Sequence, residues 1–275
     1  VVSFLEEPRV GQSYPNFLAA ELASQHVRVV LSGAGGDEVF GGYPWRYEKA
    51  AESRSLDDFR ERYFLLWNRL LRPSEMSRLL QPIWKLDSEA MLRSVFERVL
   101  HDYNSGSFTQ RDYVNLALTF DARTFLQGLL TVEDKLSMAH SLETRLPFLD
   151  NQLVDLALEI PIELKWRGFG APSGQAFRSS DGKWILRQIA QRHLPRERAN
   201  AEKQGFSAPD ANWFRKASRP FVASSLLGRD ARIHDLVDRA YLIELLDQHF
   251  DGRRNLRLLI WSLLNLEHWL RMEHP

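Results

Sequence analysis

A short apolar run followed at once by a glycine cluster limits what this chain can fold into more than any other stretch. His26 to Leu31 reads H-V-R-V-V-L, and Ser32 to Tyr43 reads S-G-A-G-G-D-E-V-F-G-G-Y, five of whose residues are glycine. A β-branched run of that length, ended by glycine, predicts a strand buried on both faces of a parallel sheet. Ahead of it, residues 14 to 25 place Phe17, Leu18, Leu22 and Ala23 on one helical face, with Pro15 near the start, where proline is tolerated. Helix, buried strand and glycine loop in that order make half of a doubly wound α/β unit. One parallel strand cannot form a sheet, so the remaining strands are expected upstream of Val1 or in a partner. The chain opens without methionine and reads as a piece of a longer polypeptide.

After Tyr43 the pattern changes. Periodic apolar positions predict helices over about 57 to 72, 88 to 103, 109 to 130, 151 to 159, 183 to 193, 209 to 227 and 240 to 272, while strand signals almost vanish. The expected chain is therefore mostly α with one or two strands near the N-terminus. Residues 1–45 would close a nucleotide-binding α/β unit, and 46–275 would form a layer of about seven or eight helices. Breakers gather in 166 to 182 and in 200 to 210, and the second stretch carries Lys203 and Gly205. Loops of that kind often hold site residues, because a rigid scaffold positions them.

Composition narrows the function. The 36 Lys and Arg residues balance 36 Asp and Glu, for a net charge of zero. This argues against a dedicated nucleic-acid or membrane-surface protein, which would carry excess basic charge. Cysteine is absent, so disulfides, thiolate metal sites and a cysteine nucleophile are excluded. No run approaches the roughly 18 apolar residues of a membrane span, and the first residues lack a basic signal region. A soluble cytoplasmic protein is expected. The eight tryptophans are spread through the helical segments and are expected as core anchors, not as a platform for stacking bases.

Three stretches could carry chemistry. The first is the glycine loop, which would sit at the carboxyl end of the strand, where ligands bind in open α/β sheets. The Ser32 hydroxyl and the amides of Gly33, Ala34, Gly35 and Gly36 could meet an anionic or sugar group. Asp37 and Glu38 add carboxylates suited to Mg²⁺, with Asp37 the candidate metal ligand. The competing reading is a turn whose acids merely cap the next helix, and the loop matches neither the P-loop nor the G-x-G-x-x-G pattern.

The second stretch is Thr131 to Asp150, T-V-E-D-K-L-S-M-A-H-S-L-E-T-R-L-P-F-L-D. Glu133, Asp134 and Lys135 are expected just ahead of a helical segment, and Pro147 pushes residue 146 toward extended geometry. Charges so close to an apolar L-P-F-L segment are expected to be partly buried and paired, with Arg145 bound to Glu143 or Asp150. Glu133 and Glu143 are the candidate catalytic carboxylates, and His140 is expected as a packing residue. With no H-E-x-x-H and no G-x-S-x-G, zinc and serine hydrolases have no foothold. The third stretch is Lys203 in E-K-Q-G-F-S, a lysine able to reach phosphate oxygens from a loop.

Taken together, L-S-G-A-G-G-D-E-V-F-G-G-Y, E-D-K-L-S-M-A-H-S-L-E-T-R-L-P-F-L-D, K-W-I-L-R-Q-I-A and E-K-Q-G-F-S-A-P resemble, in order, the synthetase domain of glutamine-hydrolysing asparagine synthetases. The resemblance runs from about Glu7 to Arg271, closing on N-L-R-L-L-I-W-S-L-L-N-L-E-H-W-L-R. It implies an adenine nucleotide α-hydrolase-like fold with a parallel sheet, and an ATP-dependent, amide-forming ligase. Such a domain adenylates a carboxylate, and an amine then displaces AMP. In the asparagine case the carboxylate is the aspartate side chain, and ammonia comes from glutamine in a separate N-terminal glutaminase domain.

The resemblance puts Ser32 and Gly33 at the nucleotide, Asp37 at Mg²⁺ and pyrophosphate, and Lys203 where charge develops on the phosphates. It also implies an S-G-G-x-D-S loop and a glutaminase domain upstream of Val1, both outside this sequence, so the isolated chain is expected to be inactive. Ala34 stands where asparagine-forming members usually carry glutamate. That keeps two other readings open, a lactam or other amide synthetase and a non-catalytic interaction module. A homodimer also stays open.

Overall fold

The structure, a computed structural model, describes residues 1–11, 13–80, 87–103, 106–169, 181–202, 205 and 209–273. Among them the chain is mainly helical, and its two strands form one small parallel sheet. Strand β1 (Val29–Leu31) pairs with β2 (Glu143–Arg145), setting Val29 opposite Glu143, Val30 opposite Thr144 and Leu31 opposite Arg145. The pairing extends at both ends: Glu143 N donates to Arg28 O at 2.9 Å, and Ser32 N donates to Arg145 O at 2.9 Å. A parallel pair needs a crossover, and here a largely helical stretch of more than a hundred residues separates the two strands.

Two strand expectations are corrected. The strand at 26 to 31 is shorter, and it is not buried on both faces: Val29 is 48% exposed and Leu31 76%. A two-stranded sheet has open edges and an uncovered face, so an apolar composition does not by itself bring burial. The second strand lies far from the N-terminus, at E-T-R, a polar segment with no β-branched run. It is a strand only because β1 lies beside it and Pro147 ends it, leaving Leu146 at φ −119°.

The helical expectations hold for 14–24, 56–67, 88–99 and 151–159 to within a few residues. The third predicted segment runs on as Gln110–Asp121, a π-helical turn Ala122–Leu126 and Gln127–Met138. Glu133, Asp134 and Lys135 thus lie inside a helix and not ahead of one. The segment at 209 to 227 breaks into Asp210–Arg215 and Arg219–Leu227, and the last segment breaks into Arg239–Phe250 and Arg257–Glu273. Gly252, at φ +79°, makes the second break. Unforeseen short helices, Pro44–Ala51 and Pro73–Leu79, start on proline, whose missing N–H costs nothing at a first turn. The layer therefore has more and shorter helices than predicted. None of the described helices is long and apolar enough to cross a membrane.

The core comes in three parts. The C-terminal helices close on Val222, Leu226, Leu242, Leu245 and Ile260, all fully buried. Tyr47, Phe59, Phe64, Phe96, Phe120 and Trp166 build an aromatic cluster, with Phe96 and Phe120 4.9 Å apart. Val39, Phe40 and Ala157, backed by Phe148 and Leu149, fasten the glycine loop's helix to the turn after β2. Of the described tryptophans only Trp166 is fully buried, but Trp67 and Trp261 pack partly buried against the aromatic and C-terminal cores, so the core-anchor expectation holds for these three, while Trp213 is 43% exposed. Trp84 and residues 170–180 lie outside the described residues.

Two stability outcomes follow from this packing. Gly35 sits at φ +86°, and any Cβ there would overlap the Leu149 side chain, whereas a Cβ on Gly33 meets nothing within 4 Å. Gly35→Ala should cost about 2–4 kcal/mol through strain and overpacking, and Gly33→Ala no more than about 0.5 kcal/mol, as read from urea midpoints. Lys165 is 4% exposed, has no ion pair among the described residues, and is drawn down by burial to a pKa of about 8. A folded-state pKa below the unfolded one means the burial cost is full below about pH 8 and fades as pH rises toward the unfolded value. Lys165→Met should therefore stabilise by about 1–3 kcal/mol at pH 7, with the gain shrinking toward zero by pH 10 in the same assay.

Candidate active site

The glycine loop leaves β1 with its first residue already tied. Ser32 N is held by Arg145 O, and the Ser32 Oγ accepts from Ala34 N at 3.2 Å, which turns the chain. Gly35 then enters the helix Gly36–Phe40 in the left-handed region. Each glycine has its own cause. Gly35 and Gly36 face Leu149 and Phe148, Gly41 faces Lys165, and a Cβ on Gly42 would overlap the Asp37 carboxylate, while Gly33 alone opens on empty space. Gly33 thus keeps open space beside it, and the other four serve packing.

The two acids of the loop point to different places. Asp37 pairs with Lys183 Nζ at 2.9 Å, and Lys183, itself at φ +53°, donates its N–H to Gly41 O at 3.1 Å. Glu38 is 3% exposed and accepts a short hydrogen bond from the Tyr43 hydroxyl. Burial, then the Glu38 charge, pushes the Tyr43 phenol far above its ordinary value, so it stays a donor. Both acids lie in the first turn of the helix, where negative charge suits the macrodipole.

A cleft of about 1000 Å³ lies beside the loop, between the helix Tyr14–Ser24, the strand ends, the helix Gln127–Met138 and residues 63–70. It brings together Ser32, Ala34 and Glu133 of the predicted site residues. Glu143 is not among its lining residues. Glu143 pairs with Arg145 at 2.6 Å, with both side chains more than half exposed, so the expected pairing is Glu143 rather than Asp150 and its expected burial is corrected. Asp150 instead accepts from Gln152 N and Leu153 N, capping Asn151–Glu159. His140 packs edge-on against Phe17 at 4.3 Å. Lys203 lies outside the described residues.

Sequence reading missed the charges at the cleft wall. Arg46 Nη1 lies 2.6 Å from Asp121 Oδ1, with the two side chains 8% and 4% exposed, and the Tyr63 hydroxyl donates to the same oxygen at 3.2 Å. Burial opposes both charges. It holds the Asp121 carboxyl up at about 6 against the pull of Arg46, while at Arg46 it is outweighed by Asp121 and the surrounding tyrosines, and the guanidinium stays charged. At neutral pH we take the pair as ionised, because the contact is so close. Arg46 also lies over the Tyr43 and Phe125 rings, at 4.3 and 4.6 Å. Lys183 was missed too, although its motif was visible; nothing in the sequence said that it would meet Asp37.

Among the described residues no group of three or more His, Asp or Glu side chains converges to hold an ion. Mg²⁺ commonly uses one or two protein carboxylates and takes its other ligands from phosphates and water, so Asp37 fits as a single protein ligand.

The family model of asparagine synthase matches residues 1–271 of the chain. Among curated relatives, asparagine synthetase [glutamine-hydrolyzing] 1 of Bacillus subtilis (strain 168) is 28% identical over 283 residues, covering 93% of this chain and 42% of that protein. Asparagine synthetase [glutamine-hydrolyzing] 3 of the same organism is 28% identical over 229 residues, covering 80% of this chain and 33% of that protein. The chain thus spans less than half the length of these relatives. A match over nearly every residue, with the glycine loop and the segment around Glu133 meeting at one cleft, leads to a single statement: this chain belongs to the asparagine synthase family.

Proposed function

We propose that this chain is the amide-forming part of an ATP-dependent ligase, which adenylates a carboxylate and passes the acyl group to ammonia. One observation carries the reading. Ser32, Ala34 and Glu133 line the same cleft, while Asp37 and Lys183 pair outside its lining, at the helix that follows the turn.

A carboxylate oxygen of the acid attacks the α-phosphorus of ATP, the bond to the bridging oxygen breaks, and pyrophosphate leaves with the electron pair. The Ser32 hydroxyl and the Gly33 amide would hold the nucleotide, where glycine lets the backbone come close. Asp37 would hold Mg²⁺, which neutralises the phosphate charge, and Lys183 adds a cation beside it. Ammonia then attacks the acyl carbon, AMP departs, and Glu133 would take the released proton. Lys203, by resemblance, would stabilise charge on the phosphates. Positioning and fixed charge are most of what such chemistry asks of a protein. The relatives' names, glutamine-hydrolyzing asparagine synthetase, support aspartate as the acid and glutamine as the ammonia source.

Ala34 favours a second reading. A methyl group at the cleft, in place of a longer acid, leaves room for a bulkier acyl group, as in a lactam or other amide synthetase. Two variants of the full-length polypeptide test both readings. Asp37→Asn should lower AMP formation on the order of 100-fold, because a charged oxygen ligand becomes neutral, and a change of less than twofold would remove Asp37 from the phosphate site. Ala34→Glu should leave AMP formation with aspartate and ammonia within about threefold of wild type if aspartate is the acid. With a large acyl substrate it should instead fall at least about tenfold, through crowding. Absence of AMP formation with every acid offered would overturn the ligase reading itself.

A further inference from the structure

We propose that Arg187 is a positioning residue of the phosphate site: its guanidinium holds the carbonyl that precedes Lys183, and through it the Lys183 ammonium at Asp37. The inference rests on the ligase reading, which puts Asp37 and Lys183 at the phosphates. Its grounds are the strained backbone of Lys183 and the contacts that impose it.

Lys183 adopts φ +53° and ψ +37°, a left-handed conformation that costs free energy for any residue with a side chain and persists only where its surroundings impose it. Two holds come from the glycine segment: Lys183 N donates to Gly41 O at 3.1 Å, and Lys183 Nζ reaches Asp37 Oδ1 at 2.9 Å. The preceding residue passes so near that a Cβ on Gly182 would lie 2.6 Å from Gly41 O. The third hold comes from behind the bend, where Gly182 O accepts from Arg187 Nε at 3.0 Å.

Arg187 is anchored in turn to a second segment. It is buried, and its Nη1 donates to Ala199 O at 3.2 Å and to Ala201 O at 3.0 Å, at the end of the helix Arg196–Ala199 and just beyond it. One rigid, planar fork thus joins the bend before Lys183 to a separate stretch of backbone. Ile185 and Leu186, on the same helix Trp184–Ala190, pack against the core of Val39, Phe40 and Ala157. Those apolar contacts seat the helix but are non-directional. The directional bonds of Arg187 set the bend ahead of it.

Such bracing matters because a cation stabilises charge developing on phosphate only if it is in place beforehand, and a displacement of about 1 Å can cost about a hundredfold in rate. A lysine is poorly suited to place itself, since its ammonium rides on a flexible four-carbon stem. Fixing the backbone from which that stem starts removes part of the freedom. Burial works against the Arg187 charge, and Asp181 and then Asp37 favour it, so the guanidinium also adds positive potential at Asp37.

Calorimetry with Mg-pyrophosphate on the full-length polypeptide tests this apart from turnover, with urea midpoints read in parallel. Arg187→Met should weaken Mg-pyrophosphate binding at least about tenfold, and Arg187→Lys, which keeps the charge but not the fork, at least about threefold. In a Lys183→Met background neither substitution should change binding by more than about twofold, because the residue they act through is gone. A packing role alone would lower the urea midpoint and leave binding by the folded protein within about twofold of wild type, which would overturn the inference. Losses that add to that of Lys183→Met, or a wild type that does not bind Mg-pyrophosphate, would overturn it as well. If Arg187→Met does not fold, the cycle with Arg187→Lys decides. Coupled losses without AMP formation from any acid would sustain the positioning role and remove the ligase. AMP formation with uncoupled losses would overturn the positioning role and spare the ligase.

Discussion

Everything around the cleft depends on how closely the glycine loop can approach the turn that follows β2. Gly35 and Gly36 lie directly on Leu149 and Phe148, at distances where no larger residue fits without displacement. That contact, with the Ser32 to Arg145 hydrogen bond, ties two segments more than a hundred residues apart into one edge. The packing of Phe40 on Phe148, at 6.0 Å between ring centres, carries the same tie into the core. Loose packing here would leave Ser32 and Ala34 without a defined position relative to Glu133, and the cleft would lose its geometry.

The charges are arranged on that frame by burial. Glu38 is turned inward and satisfied by Tyr43, so it serves the frame. Asp37, one residue earlier and on another side of the short helix, stays partly exposed beside Lys183 and can face a ligand. Arg46 and Asp121 form a desolvated pair whose removal from water is costly unless geometry and hydrogen bonds compensate. Tyr63 and the aromatic rings compensate in part.

Local patterns were legible wherever one element answers to its own residues. The helix 151–159 is bounded by Asp150, which caps it, and its period is visible in Leu153, Val154 and Ala157. The apolar V-V-L of β1 was legible as a strand for the same reason. β2 was not, because E-T-R has no intrinsic preference for extension and becomes a strand by pairing. The π-helical turn at Ala122–Leu126 hid the continuity that puts Glu133 inside a helix, since an extra residue shifts the apolar period. The glycine-rich motif, too, was legible as a loop without revealing which of its glycines serve packing.

The sequence by itself determined the family, the glycine loop at the end of a strand and most of the helical periods, since each is written in neighbouring residues. The tertiary structure alone decided which charges meet. Lys183 finds Asp37, Arg46 finds Asp121 and Glu143 finds Arg145 instead of the cleft, and only the last pair are neighbours in the chain. Electrostatic partners across 75 or 146 residues leave no periodic trace, because a charge gains its partner from where the backbone goes, and the backbone goes where the apolar residues are buried.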